Sequence, residues 1–354
     1  MNTILEIDGS QGEGGGQILR TSLSLAAITG QPIRLNRIRA NRPKPGLAAQ
    51  HLTSVQAAAT LCRAQVRGDI LGSTTLEFLP TCPPQAGQYT FDVTEAREGG
   101  SAGAVTLILQ TILMPLALAD GNSQVILKGG IHVAWSPPVT YIEEVYLPTI
   151  SQIGVQAKIE LKAWGWYPRG GGEVELRVTG SKKPLSGLQL LERGLIQQIR
   201  GLAVVTELPA HIPQRMANRA KNLLQQAHLP AKIQAVREKG IAPGAGIFLT
   251  AEYEHSRAGF SALGRRGMPA EQVAEIAVQQ LLDFHAQAVP VDPFLADQLL
   301  LPLAALSSQN SKYRVATISL HLTTNAWVIE QFKLATINIE EDKQLVRVIP
   351  RLNH

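Results

Sequence analysis

The sequence has few cysteines, aromatic residues and charges, and these shortages exclude several protein classes. Two cysteines, Cys62 and Cys82, occur in 354 residues, too few for a disulfide framework or a four-thiolate zinc site. Aromatic residues make up 5% and charged residues 17%, whereas 45% are hydrophobic, so we expect a folded chain with a substantial core. The low cysteine content favours a reducing compartment, and the predicted location is cytoplasmic.

No long uninterrupted apolar run is present. The longest apolar stretch, residues 104–119, is interrupted by Thr106, Gln110, Thr111 and Pro115, which predicts a buried helix and no membrane span. The first eight residues carry two acids and no basic residue, so no signal peptide is predicted.

Negative charge is missing from one long segment. Residues 14–68 contain no Asp or Glu but eight Lys or Arg, which predicts an anionic partner, with a solvated surface as the alternative. Residues 181–265 hold twelve basic against five acidic residues and form a second basic segment.

Hydrophobic periodicity predicts an internal repeat. The order βαβαββ is predicted over residues 3–79 and again over residues 88–178. A third copy is predicted late in the chain, with helices at 270–287, 294–306 and 325–332 and strands at 313–319, 336–339 and 345–349. The basic segment between the second and third copies is predicted to be an inserted α/β domain. The predicted domains are residues 1–180 (repeats one and two), 181–265 (the insert) and 266–354 (repeat three).

A glycine-dense loop follows the first predicted strand. Residues 8–20 read Asp-Gly-Ser-Gln-Gly-Glu-Gly-Gly-Gly-Gln-Ile-Leu-Arg and lead into a predicted helix. Such a loop lets the backbone approach an anion at the helix N-terminus, although a simple tight turn is an equal alternative. Glu13 is suited to hold Mg²⁺ against a bound polyphosphate, and its alternative is an exposed loop carboxylate.

Two further segments could carry chemistry. Residues 39–51, Arg-Ala-Asn-Arg-Pro-Lys-Pro-Gly-Leu-Ala-Ala-Gln-His, combine cations with two rigidifying prolines and would suit a phosphate with a ribose or base edge; a solvated basic loop is the alternative. His321 is predicted at a strand-to-helix junction in Ser-Leu-His-Leu-Thr-Thr-Asn325. A lone histidine in an apolar stretch is more often a satisfied core residue, so residue physics alone does not select His321.

These motifs together resemble the RNA 3′-terminal phosphate cyclase family. The glycine loop, the Arg39 and His321 segments, Tyr167-Pro-Arg-Gly-Gly-Gly-Glu173 and Leu295-Ala-Asp-Gln298 occur in the family's order along the whole chain. The resemblance implies three βαβαββ repeats, as in enolpyruvyl transferases, plus an inserted smaller α/β domain. It also implies an ATP-dependent ligase that converts an RNA 3′-phosphate into a 2′,3′-cyclic phosphodiester through an enzyme–AMP intermediate.

The resemblance also implies roles for individual residues. His321 would be the adenylated nucleophile, and Glu13 would hold Mg²⁺ or Mn²⁺. Nucleotide contacts are expected from Gln17, Arg20, Gln110, Pro138, Phe294, Leu295, Ala296, Asp297 and Gln298. RNA phosphate contacts are expected from Arg39, Arg42, Gln50 and His51.

Two alternatives belong to other functional classes. The first is a non-catalytic, cyclase-like RNA-binding factor in ribosome assembly, against which His321, Glu13 and Arg20 argue. The second is an enolpyruvyl transferase, which would need different substrate-binding residues. The expected partners are ATP and RNA 3′-phosphate ends, without a membrane, and a homo-oligomer is left open. The insert is expected to bind RNA or a partner domain.

Overall fold

The strands of the protein form small sheets of one recurring kind. The computed structural model describes residues 3–96, 102–181 and 185–351. Within these ranges the strands form four sheets of four strands each. Three sheets belong to the repeated units and the fourth to the inserted domain.

The first repeat follows the predicted order βαβαββ. Its strands β1 and β2 are parallel, and β4 and β3 continue the sheet antiparallel in the order β1-β2-β4-β3. Helix α1 ends at Gly30, which adopts the left-handed conformation with φ 69° that favours glycine. The elements are β1 (Leu5–Asp8), α1 (Gly16–Thr29), β2 (Ile33–Asn36), α2 (Ala49–Cys62), β3 (Gln65–Arg67) and β4 (Leu76–Leu79).

The second repeat has the same topology. Its sheet order β5-β6-β8-β7 matches that of the first repeat, with β5 and β6 parallel. Its second helix consists of α4, a π-helical turn (Ile142–Tyr146) and α5 in direct succession. The elements are β5 (Gln88–Asp92), a 3₁₀ turn (Val93–Ala96), α3 (Val105–Leu118), β6 (Asn122–Gly129), α4 (Val139–Tyr141), α5 (Leu147–Ser151), β7 (Gln156–Ala163) and β8 (Gly172–Thr179).

The third repeat is split by the insert. Its first strand, β9, has two residues and pairs parallel with β14, more than a hundred residues later in the chain. The sheet order β9-β14-β16-β15 is again that of the first repeat. The elements are β9 (Gln189–Leu190), α8 (Leu300–Ala305), β14 (Ser311–Arg314), α9 (Leu320–Gln331), β15 (Ala335–Glu340), a 3₁₀ turn (Glu341–Lys343) and β16 (Leu345–Pro350).

The inserted domain has its own sheet and core. Its strands follow the order β11-β10-β12-β13, and helices α6 and α7 pack on that sheet to form a second hydrophobic cluster that includes Met216, Leu249 and Phe284. The elements are β10 (Ile196–Thr206), α6 (His211–Gln226), β11 (Ala231–Glu238), β12 (Gly244–Tyr253), β13 (Arg257–Leu263) and α7 (Ala270–Gln287).

The observed elements differ from the predicted division at two points. The predicted bounds gave the helix at 270–287 to repeat three, but α7 buries Val273, Leu281 and Phe284 in the core of the insert. The predicted third repeat also lacked β9, which lies before the insert. We therefore propose an insert that begins after Leu190 and ends near Gln287, while the fold class, three βαβαββ repeats with an inserted α/β domain, is confirmed.

One large core joins the three repeats and sets the position of the site. Helix α1 packs against α2, α3 and α9, so that elements from all three repeats meet around it. Buried side chains of these helices belong to one cluster, for example Leu23, Val55, Ile108 and Ile329. The N-terminus of α1 and the N-terminus of α9 are thereby brought to the same place.

Candidate active site

His321 lies in the first turn of α9. The helix begins at Leu320, and the Ser319 hydroxyl caps it by accepting a hydrogen bond from the Leu322 amide (3.2 Å). His321 thus lies at the predicted junction between a strand and a helix, but the capping serine starts the helix five residues earlier than the predicted 325. The His321 side chain is exposed at a helix N-terminus, where unpaired amides and the helix dipole favour an anion such as phosphate.

Gln17 links His321 to a buried carboxylate. The Gln17 Nε2 donates to Asp297 Oδ2 (2.6 Å), and the Gln17 Oε1 lies 2.8 Å from His321 Nδ1. Because only the amide nitrogen can donate to a carboxylate, the amide oxygen faces His321. His321 Nδ1 therefore carries the proton, and Nε2 keeps a free lone pair.

Asp297 is held in place from two helices. Burial raises the pKa of its carboxyl group, while His321, Gln17 and Arg20 oppose that rise. The Asn325 side chain donates to the Asp297 carbonyl (2.8 Å) and accepts from the Thr21 hydroxyl (2.7 Å). The loop that carries Asp297 is thus bonded to both α1 and α9.

Electrostatics keep His321 neutral. Partial burial lowers the pKa of His321 below its usual value of 6.5, and the cations Arg20 and Arg42 lower it further, although Asp297 acts in the opposite direction. Burial also lowers the pKa of Arg20 to about 10, so that this guanidinium stays charged at neutral pH. A neutral imidazole next to permanent cations is suited to attack a phosphorus atom.

The glycine loop packs directly against α9. Gly12 has φ 52°, and a Cβ at this position would overlap the Thr324 hydroxyl. That hydroxyl accepts a hydrogen bond from the Glu13 amide (2.9 Å). The glycines therefore permit a close approach between the two helix N-termini.

Gly16 permits a second close approach, between the start of α1 and the His51 ring. A Cβ on Gly16 would overlap the His51 ring and lie 2.8 Å from Arg20 Nη1. We expect Gly16→Ala to lower the free energy of unfolding by about 1–3 kcal/mol, because the His51 ring and Arg20 would have to move away from the added methyl group. Denaturant unfolding measures this effect. Gly87→Ala is the matched control, because its nearest atom would be 3.4 Å away; equal behaviour of both variants would contradict the expectation.

A cluster of basic side chains borders the glycine loop. His51 is buried and sits near the guanidinium groups of Arg20, Arg39 and Arg42; burial and then these charges hold its pKa well below the usual range. The Ala48 amide donates to His51 Nδ1 (3.3 Å), which leaves Nε2 as the donor of the neutral ring. Arg39 donates to the Gly46 carbonyl (2.7 Å), and burial lowers its pKa. The concentration of positive charge suits a phosphate group.

Gln50 has a different environment from its neighbours. Its Oε1 accepts a hydrogen bond from the Ala104 amide (3.2 Å), so it ties α2 to the start of α3 in the second repeat. A direct contact with RNA would require this bond to open.

Gln17, Arg20 and Asp297 lie beside His321, and the other expected nucleotide-contacting residues separate into three groups. Gln110 donates to Gln298 (3.0 Å), so these two amides lie together. Phe294 is 48% exposed with its ring edge-on to Tyr141, and Pro138 precedes the helix that carries Tyr141. Leu295 and Ala296 are buried in the main core, so that only their backbone could reach a nucleotide.

The residues at the site fit a divalent cation only in part. Glu13 forms an ion pair with Arg42, yet neither of its carboxylate oxygens accepts a hydrogen bond of normal geometry. Among the described residues, no group of three or more His, Cys, Asp or Glu could hold a metal ion. Mg²⁺ is commonly held by one or two carboxylates together with substrate phosphates, so Glu13 could serve as a single protein ligand.

Several residues at the site escaped the sequence reasoning. Thr21 and Asn325 bond α1 to α9, and Thr324 bonds α9 to the glycine loop. Asp292 and Tyr141 bond to each other next to the loop that carries Phe294. One signal in the sequence could have pointed to Asp292, which stands two residues before Phe294. Its side chain accepts a hydrogen bond from the Phe294 amide, a local bond that is typical of aspartate in turns.

Comparison with known proteins decides the family. A family model described as RNA 3′-terminal phosphate cyclase matches residues 11–339. The chain belongs to the RNA 3′-terminal phosphate cyclase family. A relative from Gloeothece citriformis, named RNA 3′-terminal phosphate cyclase, is 66% identical over 99% of both chains. A relative of the same name from Nostoc punctiforme is 65% identical over 98% of this chain and 99% of its own.

The family membership confirms the resemblance drawn from the motifs and the expectation of an enzyme of this family. Among solved structures, the enolpyruvyl transferase NikO from Streptomyces tendae matches with a TM-score of 0.27 and 13% identity, over 50% of this chain and 33% of that chain. This likeness is too small to bear on the fold or the function. In the described ranges no helix is both long and apolar enough to cross a membrane.

Proposed function

We propose that this protein of the cyclase family uses ATP to convert an RNA 3′-phosphate into a 2′,3′-cyclic phosphodiester, with His321 as the nucleophile. The observation that carries the proposal is the chain of hydrogen bonds from Asp297 through Gln17 to His321 Nδ1. It leaves the exposed Nε2 with a free lone pair at a helix N-terminus. The names of the two cyanobacterial relatives support the substrate.

The first step of the proposed reaction is transfer of AMP to the enzyme. The Nε2 lone pair attacks the α-phosphorus of ATP, a P–N bond forms, and pyrophosphate leaves. Gln17 accepts the Nδ1 proton in a hydrogen bond and so stabilises the charge on the ring. Arg20 lies close enough to lower the pKa of His321 and offers a cation to the phosphates.

The second and third steps close the ring on the RNA. An oxygen of the RNA 3′-phosphate attacks the phosphorus of the histidine-bound AMP, and the imidazole leaves. The 2′-hydroxyl of the same ribose then attacks the 3′-phosphorus, loses its proton and expels AMP. Arg39, Arg42 and His51 are proposed to hold the RNA phosphate. The last step gains from proximity, since both reacting groups belong to one sugar.

A divalent cation would add to this charge balance. Mg²⁺ or Mn²⁺, held by Glu13 and phosphate oxygens, would neutralise charge on the leaving pyrophosphate. Arg42 forms an ion pair with the Glu13 carboxylate and so lies next to this proposed ligand.

The pH dependence of labelling tests the electrostatic part of the proposal. The imidazole attacks only when neutral, and its pKa is lowered by burial and by nearby cations, so the labelling rate should decline with falling pH only at a pH below that at which an ordinary histidine is protonated. In Arg42→Gln one cation is lost and the pKa of His321 rises, so the decline should begin at higher pH. Labelling rates measured without RNA between about pH 5 and 8 compare the two proteins. If the pH profile of the variant is unshifted or shifted to lower pH, the charge of Arg42 is not a cause of the lowered His321 pKa.

A cyclisation assay tests the whole proposal. A short RNA with a labelled 3′-phosphate is incubated with the protein, Mg²⁺ and ATP, and then treated with alkaline phosphatase. The proposal expects the label to become phosphatase-resistant only when ATP is present. The same labelled RNA incubated with ATP and Mg²⁺ but without the protein serves as the control. A label that stays phosphatase-sensitive while the RNA still binds would favour the non-catalytic RNA-binding alternative.

A further inference from the structure

Asp292 lies where three parts of the chain meet. It is fully buried and precedes the segment that carries Phe294, Asp297 and Gln298. Its carboxylate accepts hydrogen bonds from the amides of Phe294 (2.8 Å) and Leu295 (2.9 Å) in its own loop. It therefore fixes the backbone at the start of residues 294–298, the expected nucleotide loop.

The same carboxylate reaches two other parts of the chain. The Tyr141 hydroxyl of α4, in the second repeat, donates to it at 2.8 Å, and the Gly259 amide of β13, in the insert, donates at 3.1 Å. One side chain thus joins the nucleotide loop, the second repeat and the inserted domain. A Cβ at Gly259 would lie 2.5 Å from the Tyr141 ring, so the insert and α4 are in close contact here.

A buried carboxylate needs all of these donors. Burial raises the pKa of Asp292 to about 6, and the hydrogen bonds from Gly259, Tyr141, Phe294 and Leu295 oppose the rise. An unpaired carboxylate in such a place is unfavourable, so the four donors stay in fixed positions around it. The ring of Phe294, edge-on to Tyr141 at 6.3 Å between centroids, is oriented by the same arrangement.

We propose that Asp292 is a positioning residue for ATP binding. Asp292 aligns the nucleotide loop with α4 and makes that alignment depend on the contact between the inserted domain and α4. The proposal rests on the proposed function, because it assumes that the loop around Phe294 and Gln298 contacts the nucleotide. It assigns the insert a part in ATP binding, in addition to the expected contact with RNA or a partner.

The chain offers a matched control at the same boundary. Glu144 follows Tyr141 by one helical turn and forms an ion pair with Arg200 of β10 in the insert (2.8 Å). This pair spans the same domain contact but does not touch the nucleotide loop. Glu144→Gln therefore separates a general weakening of the contact from an effect on the loop.

The experiment measures ATP binding by isothermal titration calorimetry and, separately, the maximal labelling rate at saturating ATP. In Asp292→Asn an NH2 group replaces one carboxylate oxygen and faces hydrogen-bond donors instead of accepting from them. We therefore expect the Kd for ATP to rise about tenfold or more. The maximal labelling rate should fall by less than about threefold, since His321 and Gln17 are untouched. Tyr141→Phe removes a single donor and should raise the Kd by about threefold, and it decides the question if Asp292→Asn does not fold.

Each outcome has a definite meaning. Kd values for Asp292→Asn and Tyr141→Phe within about twofold of wild type, or an equal rise in Glu144→Gln, would overturn the positioning role. A loss of labelling rate with an unchanged Kd would overturn it as well. A wild-type protein that binds ATP without becoming labelled would count against the proposed function alone, whereas a wild-type protein that binds no ATP would overturn both.

Discussion

Replacing His321 by alanine is expected to abolish cyclisation, with a loss of about 10⁴-fold or more, and to leave the fold intact. The size of the loss follows from the proposed role of His321 as the nucleophile that forms the covalent bond, because in that proposal the surrounding residues only position groups and stabilise charge. The side chain is exposed and its side-chain hydrogen bond goes to Gln17, so its removal opens no cavity in the core. Stability should change by no more than about 0.5 kcal/mol.

The measurement for His321→Ala is product formation from 3′-phosphorylated RNA, together with thermal unfolding. His255→Ala is the matched control, since His255 is an exposed histidine in the turn between β12 and β13 of the insert. It should retain wild-type activity. Cyclisation by His321→Ala within about tenfold of wild type would exclude this histidine as the nucleophile.

Replacing Gln17 by leucine is expected to lower the labelling rate by about 10²-fold or more. Leucine has a similar volume but no oxygen to accept the Nδ1 proton, so the imidazole loses both its orientation and its tautomer. It also leaves the buried Asp297 carboxylate without its donor at 2.6 Å. The second effect should appear as a modest loss of stability, of about 1–3 kcal/mol.

Gln11→Leu is the control for this variant. Gln11 belongs to the same glycine loop, but its side chain is exposed and bonds only weakly to Asp8 (3.3 Å). We expect Gln11→Leu to label at nearly the wild-type rate. If Gln17→Leu and Gln11→Leu label equally fast, the hydrogen-bond chain is not needed for attack, and the basis of the proposed mechanism fails.

The first two repeats could be predicted from the sequence because each element has a clear period and a clear end. Helix α1 is bounded by the glycine loop and Gly30, and β6 alternates buried residues with residues that are only partly buried or exposed. Strand β9 could not be predicted, because two residues carry no period. Its identity as the first strand of the third repeat depends on pairing with β14 across the whole insert.

The position of α7 shows a different limit. Its amphipathic pattern predicts the helix correctly over 270–287, but the pattern does not say which core receives its apolar face. Only the contacts of Val273, Leu281 and Phe284 with the insert assign it there.

The candidate site was accessible to sequence reasoning mainly through the family resemblance. Gln17 and His321 are 304 positions apart, and no local pattern shows that they touch. Gln17 was expected to contact the nucleotide; the structure instead brings it to His321 and Asp297, and its contact with a nucleotide stays a prediction. The charge distribution was more informative than local patterns, because the acid-free segment 14–68 supplies Arg20, Arg39 and Arg42 to a single cluster of basic side chains.

The central claim, a covalent histidine–AMP intermediate, is tested most directly by labelling the wild-type protein with Mg²⁺ and either α-³²P-ATP or γ-³²P-ATP, in the absence of RNA. We expect that only the α label stays on the denatured protein, that the bond is labile in acid and stable in alkali, and that a digest places the label on the peptide with His321. Absence of α label, retention of γ label, or label on another residue would contradict it.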